Sequence, residues 1–134
     1  MLEIRGLDAG YGKVQVLKHL SLQAQAGEIL CLMGRNGAGK TTILKSIMGL
    51  VTLQSGSIWL GDSDFGRLPA YQVPRLGVGY IPQGRRLFKE LTVIENLQIG
   101  LMTRHQGPTV LHEVLEMFPR LRERLDQPAK TLSG

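Results

Sequence analysis

The stretch that decides the fold is Gly34-Arg35-Asn36-Gly37-Ala38-Gly39-Lys40-Thr41-Thr42. An apolar run precedes it at residues 29–33, and apolar residues with helical spacing follow at residues 42–48. The stretch matches G-x-x-x-x-G-K-[ST] between a predicted strand and a predicted helix, which is the setting in which this pattern binds phosphate. Its glycines let successive backbone N–H groups point inward, and the helix start adds free N–H groups and a partial positive charge. The sequence therefore predicts a phosphate-binding loop.

Two side chains of this loop have predicted chemical roles. Lys40 supplies a mobile ammonium for the β- and γ-phosphates of a nucleoside triphosphate, and the Thr41 hydroxyl is placed to ligate Mg²⁺. The alternative is a glycine-rich turn that binds nothing. The flanking strand and helix, and the match at every fixed position of the motif, favour the phosphate-binding loop.

Length and composition fit one globular domain. The chain has 134 residues, of which 43% are hydrophobic and 20% charged, as in ordinary soluble proteins. No apolar run approaches the ~18 residues needed to cross a bilayer, and the first residues do not form a secretory signal. The single cysteine, Cys31, cannot form an internal disulfide. Because it lies in the apolar run, we expect a buried, inert thiol in a reducing compartment.

The charge balance is basic, with a net charge of +5 and a pI of about 9.7. A basic chain can bind nucleic acid. Here the basic residues are scattered, and no aromatic side chains interleave with them to form a platform for stacking bases. We therefore expect no nucleic-acid partner.

Alternation of apolar and polar residues predicts half-buried strands at residues 2–5 and 20–26. Residues 29–33 lack alternation, which is typical of a strand covered on both faces in the parallel sheet of an α/β protein. Turns are predicted at residues 8–12 and 54–56, where glycine and small polar residues cluster.

Shorter elements follow the turn. Residues 57–60 read as a short strand with Trp59 on its more exposed face, and residues 69–76 as a short helix disturbed by Pro74. Residues 77–81 read as another strand, which Pro82 ends.

The character of the sequence changes after Gln83. Thr92 and Glu95 form a predicted capping box that opens a helix reaching about Met102. An amphipathic stripe at residues 110–118 predicts a further helix, which Pro119 ends. A strand-rich part with the phosphate-binding loop is thus followed by a helical segment from about residue 91.

Several further signals stand in a fixed order around the loop. Tyr11 precedes it in a glycine-flanked segment, and Gln83 follows it in Tyr80-Ile81-Pro82-Gln83. Residues 91–97, Leu-Thr-Val-Ile-Glu-Asn-Leu, come next, and residues 132–134, Leu-Ser-Gly, end the sequence. With these signals the chain resembles, over its whole length, the ATP-binding subunits of ABC transporters. The loop alone would indicate only a P-loop NTPase, whereas the ordered set is highly specific.

The local sequence of several segments resembles two groups of importer ATPases. Residues 68–70, 77–88 and 91–93 are similar to the ATPases of branched-chain amino acid importers. Residues 31–37, Cys-Leu-Met-Gly-Arg-Asn-Gly, are similar to those of urea importers. Both solutes stay open at this point, because the ATPase subunit does not itself contact the solute.

The resemblance implies an α/β fold: a P-loop NTPase core of the ABC type, with an N-terminal antiparallel β portion and a partial helical subdomain. It implies a division into residues 1–90 and 91–134. In the family, a later strand ends in Asp-Glu and a switch histidine follows it, and this sequence contains neither. We therefore expect the C-terminal half of the core to be missing and the chain to end within the signature motif. We also expect the isolated chain to be poorly stable and prone to associate through open strand edges.

The resemblance also implies roles for individual residues. Tyr11 stacks on adenine, Gln83 reaches Mg²⁺ or the attacking water, and Lys40 and Gln83 are the catalytic residues of the set. Ser133 and Gly134 are the second and third residues of the signature pentapeptide, which faces the γ-phosphate bound by a partner subunit. Without the resemblance, Tyr11 would be read as a surface tyrosine and Gln83 as a solvated loop residue. The residues implied to bind ATP are Tyr11, Gly34, Asn36, Gly37, Ala38, Gly39, Lys40, Thr41, Thr42, Ser133 and Gly134, with Thr41 and Gln83 at the metal.

The implied activity is ATP hydrolysis, in the complete protein, that powers solute import. Its implied partners are a second ATP-binding subunit, arranged head to tail, and transmembrane permease subunits that hold the protein at the cytoplasmic face of the plasma (inner) membrane. We expect the present chain to bind ATP and to be impaired in hydrolysis. A GTPase is disfavoured because no N-K-x-D motif is present. An ABC-type ATPase not tied to a transporter, and a non-catalytic fragment, remain as alternatives.

Overall fold

The computed structural model describes residues 1–84, 86–102 and 107–132. Within it the chain divides into two compact units, Met1–Gly79 and Tyr80–Gly134. The division at residue 90 that the resemblance implies stays a prediction. No helix in the described ranges is long and apolar enough to span a bilayer.

The first unit is built on an antiparallel sheet. Its strands are β1 (Leu2–Tyr11), β2 (Val14–Ala24), β3 (Thr52–Leu60) and β4 (Ser63–Asp64), in the order β2-β1-β3-β4. Because β1 lies between two partners, its inward side chains are fully covered, and Leu7 has no exposed surface. The predicted N-terminal antiparallel β portion is confirmed.

Two predicted turns fall mainly within strands, and of their residues only Gly12, which follows β1, lies in a turn. Residues 8–11 belong to β1, and residues 54–56 belong to β3. Gly56 has a φ of +83°, and a Cβ there would lie 2.5 Å from the Gly6 carbonyl oxygen and 2.6 Å from that of Arg5. The glycine therefore permits a close approach of two strand backbones at an irregularity in the pairing of β1 with β3, rather than a chain reversal.

The predicted strand at residues 29–33 does not form. Ile29 is 98% exposed and Met33 is 88% exposed, and Cys31 is also exposed rather than buried. A strand covered on both faces requires neighbouring strands in the same sheet. In the part of the chain that the structure describes, no strand pairs with this segment. The predictions of a buried strand and of a buried thiol are therefore wrong here.

The predicted strand at residues 77–81 is wrong as well. These residues lie outside every strand of the described sheet, and Ile81 is 95% exposed. Just before them, Val73–Leu76 forms a 3₁₀ turn with a proline in its first positions. The short helix expected over residues 69–76 is thus reduced to its last turn.

A single α-helix, α1 (Lys40–Ile47), packs on the sheet of the first unit. Ile43, Ser46 and Met48 are buried on its inner side. Gly49 follows with a φ of +65°. The N–H of Leu50 donates to the Lys45 carbonyl oxygen at 2.9 Å, which closes the helix end. The helix starts two residues earlier than predicted, at the lysine of the loop.

The described residues of the second unit include three short α-helices. They are α2 (Val93–Leu101), α3 (Gly107–Met117) and α4 (Pro119–Arg122). The stripe of α3 lies on its less exposed side, and Pro119 opens α4 after α3 has ended. The helical character predicted for this part of the chain is confirmed.

The capping box at the start of α2 is also confirmed. The Thr92 hydroxyl accepts a hydrogen bond from the Glu95 N–H at 3.3 Å, and the Glu95 carboxylate accepts one from the Thr92 N–H at 2.7 Å. The backbone N–H and the hydroxyl of Thr92 hold the pKa of Glu95 below its ordinary value. Four free N–H groups at a helix start need such partners, so this pair defines where α2 begins.

Candidate nucleotide-binding site

The predicted phosphate-binding loop leads directly into α1. Gly37 and Gly39 have φ values of +85° and +91°, in the left-handed region that favours glycine. Between them, the N–H of Ala38 donates to the Arg35 carbonyl oxygen at 3.2 Å, which forms a turn. Gly39 is the N-cap of α1. The motif glycines therefore stand where the backbone curls and then enters the helix.

Lys40 closes this loop upon itself. Its Nζ donates to the carbonyl oxygens of Gly34 at 2.6 Å and Arg35 at 2.7 Å. The ammonium is thus directed back over the loop, and its partners are two neutral oxygens. An anionic phosphate oxygen adds a charge–charge attraction that a neutral carbonyl oxygen lacks, so an arriving phosphate would compete well for this group.

The start of α1 offers further donors. The first N–H groups of a helix have no partner within it, and the first turn of α1 contains no acidic residue. No carboxylate on this turn therefore competes with an anion for those donors or for the positive end of the helix dipole. Together with Lys40, the helix start fits a polyphosphate.

The two threonines of the motif lie on different sides of α1. Thr41 is exposed, so its hydroxyl can reach a metal bound to phosphate. Thr42 is only 6% exposed, which leaves its backbone N–H as the group that can face an anion. No group of three or more His, Cys, Asp or Glu side chains that could hold a metal occurs in the described ranges. The role of Thr41 as a Mg²⁺ ligand stays a prediction, with which its exposure is compatible.

The hairpin formed by β1 and β2 packs directly against the loop. A Cβ on Gly39 would lie 2.9 Å from Leu17 Cδ2 and 3.5 Å from Val16 Cγ1, both on β2. Gly39 thus serves two purposes: it adopts a left-handed conformation, and it lets β2 approach the loop closely. The hairpin and the phosphate-binding loop are held together as one local structure.

Tyr11 lies at the end of β1, in this same hairpin. It pairs with Val14, and 45% of its surface is exposed. The Nζ of Lys45, in the last turn of α1, lies 5.7 Å from the centre of the Tyr11 ring. One helix therefore carries the phosphate-binding loop at its start and contacts the tyrosine at its end. The sequence pattern did not single out Lys45, because no motif spacing links a strand end to a residue on a distant helix.

Asp8 anchors the hairpin three residues before Tyr11. Its Oδ1 accepts hydrogen bonds from the His19 N–H at 2.7 Å and the Gln15 Nε2 at 2.9 Å. Its Oδ2 accepts one from the Ser55 hydroxyl on β3. The Ser55 hydroxyl first, and then the His19 N–H, lower the pKa of Asp8 from its ordinary value. One carboxylate thus ties three strands together three residues before Tyr11.

Three other candidate residues lie outside the first unit, which contains the loop. Gln83 is exposed and belongs to the second unit, at Tyr80–Gly134. Ser133 and Gly134 lie outside the described residues. Their implied roles stay predictions.

The chain is similar in sequence to a known protein family and to several of its members. Residues 17–134 match the ABC transporter family. BraG of Pseudomonas aeruginosa, a high-affinity branched-chain amino acid transport ATP-binding protein, is 40% identical over 100% of this chain and 58% of its own length. LivF of Archaeoglobus fulgidus, described as a probable branched-chain amino acid transport ATP-binding protein, is 37% identical over the same shares. LptB of Escherichia coli K12, the lipopolysaccharide export system ATP-binding protein, is 34% identical over 99% of this chain and 57% of its own length.

The chain spans somewhat more than half the length of these curated relatives. Among solved structures, a nucleotide-free ATP-binding cassette of an ABC transporter has a TM-score of 0.81 at 24% identity, over 98% of this chain and 58% of that one. A dimeric cassette in a post-hydrolysis state, bound to ADP and phosphate, has a TM-score of 0.80 at 21% identity, over 99% of this chain and 63% of that one. At these identities the likeness concerns the fold alone. The chain therefore belongs to the ABC transporter family and has the fold of its ATP-binding cassettes.

Proposed function

We propose that this chain binds ATP at the phosphate-binding loop, residues 34–42. One observation carries the proposal: the Lys40 ammonium is directed back over the loop, onto the carbonyl oxygens of Gly34 and Arg35, at the acid-free start of α1. The family supports ATP as the triphosphate. The hydrogen bonds that Lys40 now gives to carbonyl oxygens are exchanged for bonds to phosphate oxygens.

Each group at the loop then has a defined task. Lys40 holds the β- and γ-phosphates, and Thr41 binds the Mg²⁺ that neutralises charge on the phosphates. The backbone N–H groups of residues 36–42 surround the triphosphate, and Tyr11 stacks on the adenine. Phosphoryl transfer depends mainly on positioning and on charge stabilisation, which are the contributions that such groups make. Gln83 is the proposed partner of the metal or of the attacking water.

We propose further that the complete protein hydrolyses ATP to power the import of branched-chain amino acids. The identities to BraG and LivF support this solute class. Urea is the alternative solute, because residues 31–37 resemble the corresponding segment of urea-importer ATPases. The complete protein would pair head to tail with a second ATP-binding subunit, through a signature pentapeptide whose second and third residues are Ser133 and Gly134. It would bind permease subunits at the cytoplasmic face of the membrane. The sequence contains no Asp-Glu pair, so for these residues we propose ATP binding with little hydrolysis.

A second transport function is favoured by one observation, the 34% identity to LptB. Expression of the complete protein with candidate permeases would separate the two. Co-purification with amino-acid permeases and leucine-stimulated ATP hydrolysis support import, whereas co-purification only with lipid-exporting subunits supports export. A family member without membrane partners would instead show nucleic-acid affinity that falls steeply with salt.

The site itself is tested by titrating the chain with a fluorescent ATP analogue. Lys40→Ala removes hydrogen bonds from a charged donor, each worth about 1.5–3 kcal/mol, so Kd should rise roughly tenfold to hundredfold. Lys18→Ala removes the same charge from an exposed position on β2 and serves as the matched control. Equal affinities for the unsubstituted chain and the Lys40→Ala variant would contradict the assignment of the loop.

A further inference from the structure

The contact between Lys45 and Tyr11 lies outside the phosphate-binding loop, residues 34–42. The distance of 5.7 Å from the ammonium to the ring centre falls within the range of cation–π interactions. Lys45 is half-buried although it carries a full charge. No carboxylate lies within 4.0 Å of it among the residues that the structure describes. The aromatic ring is therefore the specific partner that the structure gives this ammonium.

The ring that Lys45 contacts keeps free surface. Tyr11 is 45% exposed, and its backbone is held by the pairing with Val14 and, three residues earlier, by the Asp8 hydrogen bonds. An aromatic side chain at the end of a strand still has rotational freedom about its side-chain bonds. A cation against one side of the ring restricts that freedom and leaves the remaining surface for a ligand.

We infer that Lys45 is a positioning residue for the nucleobase: its ammonium holds the Tyr11 ring in the orientation on which the base stacks. The inference rests on the proposed nucleotide site. It assigns the start of α1 to the phosphates and, through Lys45, the end of the same helix to the base. Stacking on an aromatic ring is tolerant of base identity, so Lys45 governs how strongly a base is held rather than which base is chosen.

Two other roles for Lys45 are open to the same test. A cation in the last turn favours the helix dipole, which would affect stability and not ligand choice. A cation close to the loop could attract phosphate directly, which would affect every polyphosphate equally. Neither role acts through Tyr11, and a double-mutant cycle between the two residues distinguishes them.

The experiment measures Kd for ATP and for inorganic triphosphate, which has no base. The variants are Lys45→Met, which removes the charge and keeps the length, and Lys45→Arg, which keeps the cation. Each is made with Tyr11 intact and with Tyr11→Leu. Lys45→Met should weaken ATP binding about twofold to fivefold, the range expected of an exposed cation–π contact. Triphosphate binding should not change, and Lys45→Arg should bind ATP like the unsubstituted chain.

With Tyr11→Leu, the Lys45→Met change should have no further effect on ATP binding. The inference would be overturned if Lys45→Met weakened the binding of ATP and of triphosphate equally. It would also be overturned if Lys45→Met caused the same loss of ATP affinity with Tyr11→Leu as with Tyr11 intact. Tighter ATP binding in Lys45→Met would overturn it too, because Lys45 would then compete with the base. If Lys45→Met also lowers the melting temperature, the Lys45→Arg variant gives the deciding measurement. A loss of ATP affinity in Lys45→Arg equal to that in Lys45→Met would overturn the inference, because arginine keeps the cation. If Lys40→Ala weakens the binding of both ATP and triphosphate, the proposed phosphate site stands, whatever the Lys45 variants show.

Discussion

Two apolar regions of the first unit behave in opposite ways. The strands β1, β2 and β3 pair in one sheet, and Ile58 at its centre has no exposed surface. Residues 29–33, which lead into the phosphate-binding loop, are at least as apolar but form no strand, and Ile29 is 98% exposed. Apolar content alone therefore does not decide which segments are buried.

The difference lies in whether each segment has partners in the described chain. β1 pairs on both sides, with β2 and with β3, and α1 covers part of the sheet. Residues 29–33 have a pattern that is buried only between neighbouring strands, and the described sheet provides none for them. The alternating strands carry enough information to fold together locally, whereas the uniform run depends on strands that it must meet elsewhere.

A matched pair of substitutions tests this difference most directly. Ile58→Ala removes a side chain that lies opposite Ile4 in the β1–β3 pairing and should lower the free energy of unfolding by about 2–5 kcal/mol. Ile29→Ala makes the same chemical change at an exposed position and should alter it by no more than about 0.5 kcal/mol. Urea denaturation followed by far-ultraviolet circular dichroism measures both.

The comparison fails if the two variants lose similar stability. A large loss for Ile29→Ala would mean that residues 29–33 are buried in solution. A small loss for Ile58→Ala would mean that the sheet is not the stable core of the unit. Equal urea dependence of the two variants confirms that the same cooperative unit is being measured.

The sequence predicted the elements whose causes are local. Alternation at residues 2–5 and 20–26 found parts of β1 and β2 but not their full lengths, and the Thr92 and Glu95 pair located the start of α2 to the residue. Predictions failed where a distant contact decides. Gly56 was predicted to lie in a turn, yet it lies within β3, where the backbone of β1 is so close that a Cβ on Gly56 would clash with it. Residues 29–33 had the composition of a buried strand, and composition carries no information on whether neighbours are present.

The candidate site shows the same division. Lys40, Thr41 and the glycines of the loop were predictable because their function requires a fixed spacing along the chain. The contacts that hold the Tyr11 side of the site were not. Asp8 meets Ser55, and Lys45 meets Tyr11, only because β1 lies beside both β3 and α1.

The Asp8 contacts predict an acid-dependent loss of stability. Because its pKa is lowered in the folded state from the ordinary 3.8, the carboxylate stabilises the fold above that value. This contribution is lost as the pH falls through the lower, folded-state pKa. Asp8→Asn should therefore lower the melting temperature at pH 7, and the gap to the unsubstituted chain should close below about pH 4.

The control for this prediction is Asp62→Asn, at an exposed turn position with no side-chain hydrogen bond in the described part of the chain. It should not change the melting temperature at either pH. A gap for Asp8→Asn that persists unchanged at low pH would show that its carboxylate charge is not what ties β1 to β2 and β3.

The smallest expected effect concerns Cys31, whose thiol is exposed within the run of residues 29–33. Its rate of labelling by a maleimide should differ by less than about threefold between native buffer and urea, because no local opening is needed to reach it. The control is Ser46→Cys combined with Cys31→Ser, since Ser46 is fully buried in α1 and close in size to cysteine. Labelling of that thiol should slow at least about a hundredfold in native buffer. Protection of Cys31 in native buffer would show that residues 29–33 are covered in solution, for example by a second copy of the chain. The difference in burial between these residues and the sheet would then hold only for the single chain.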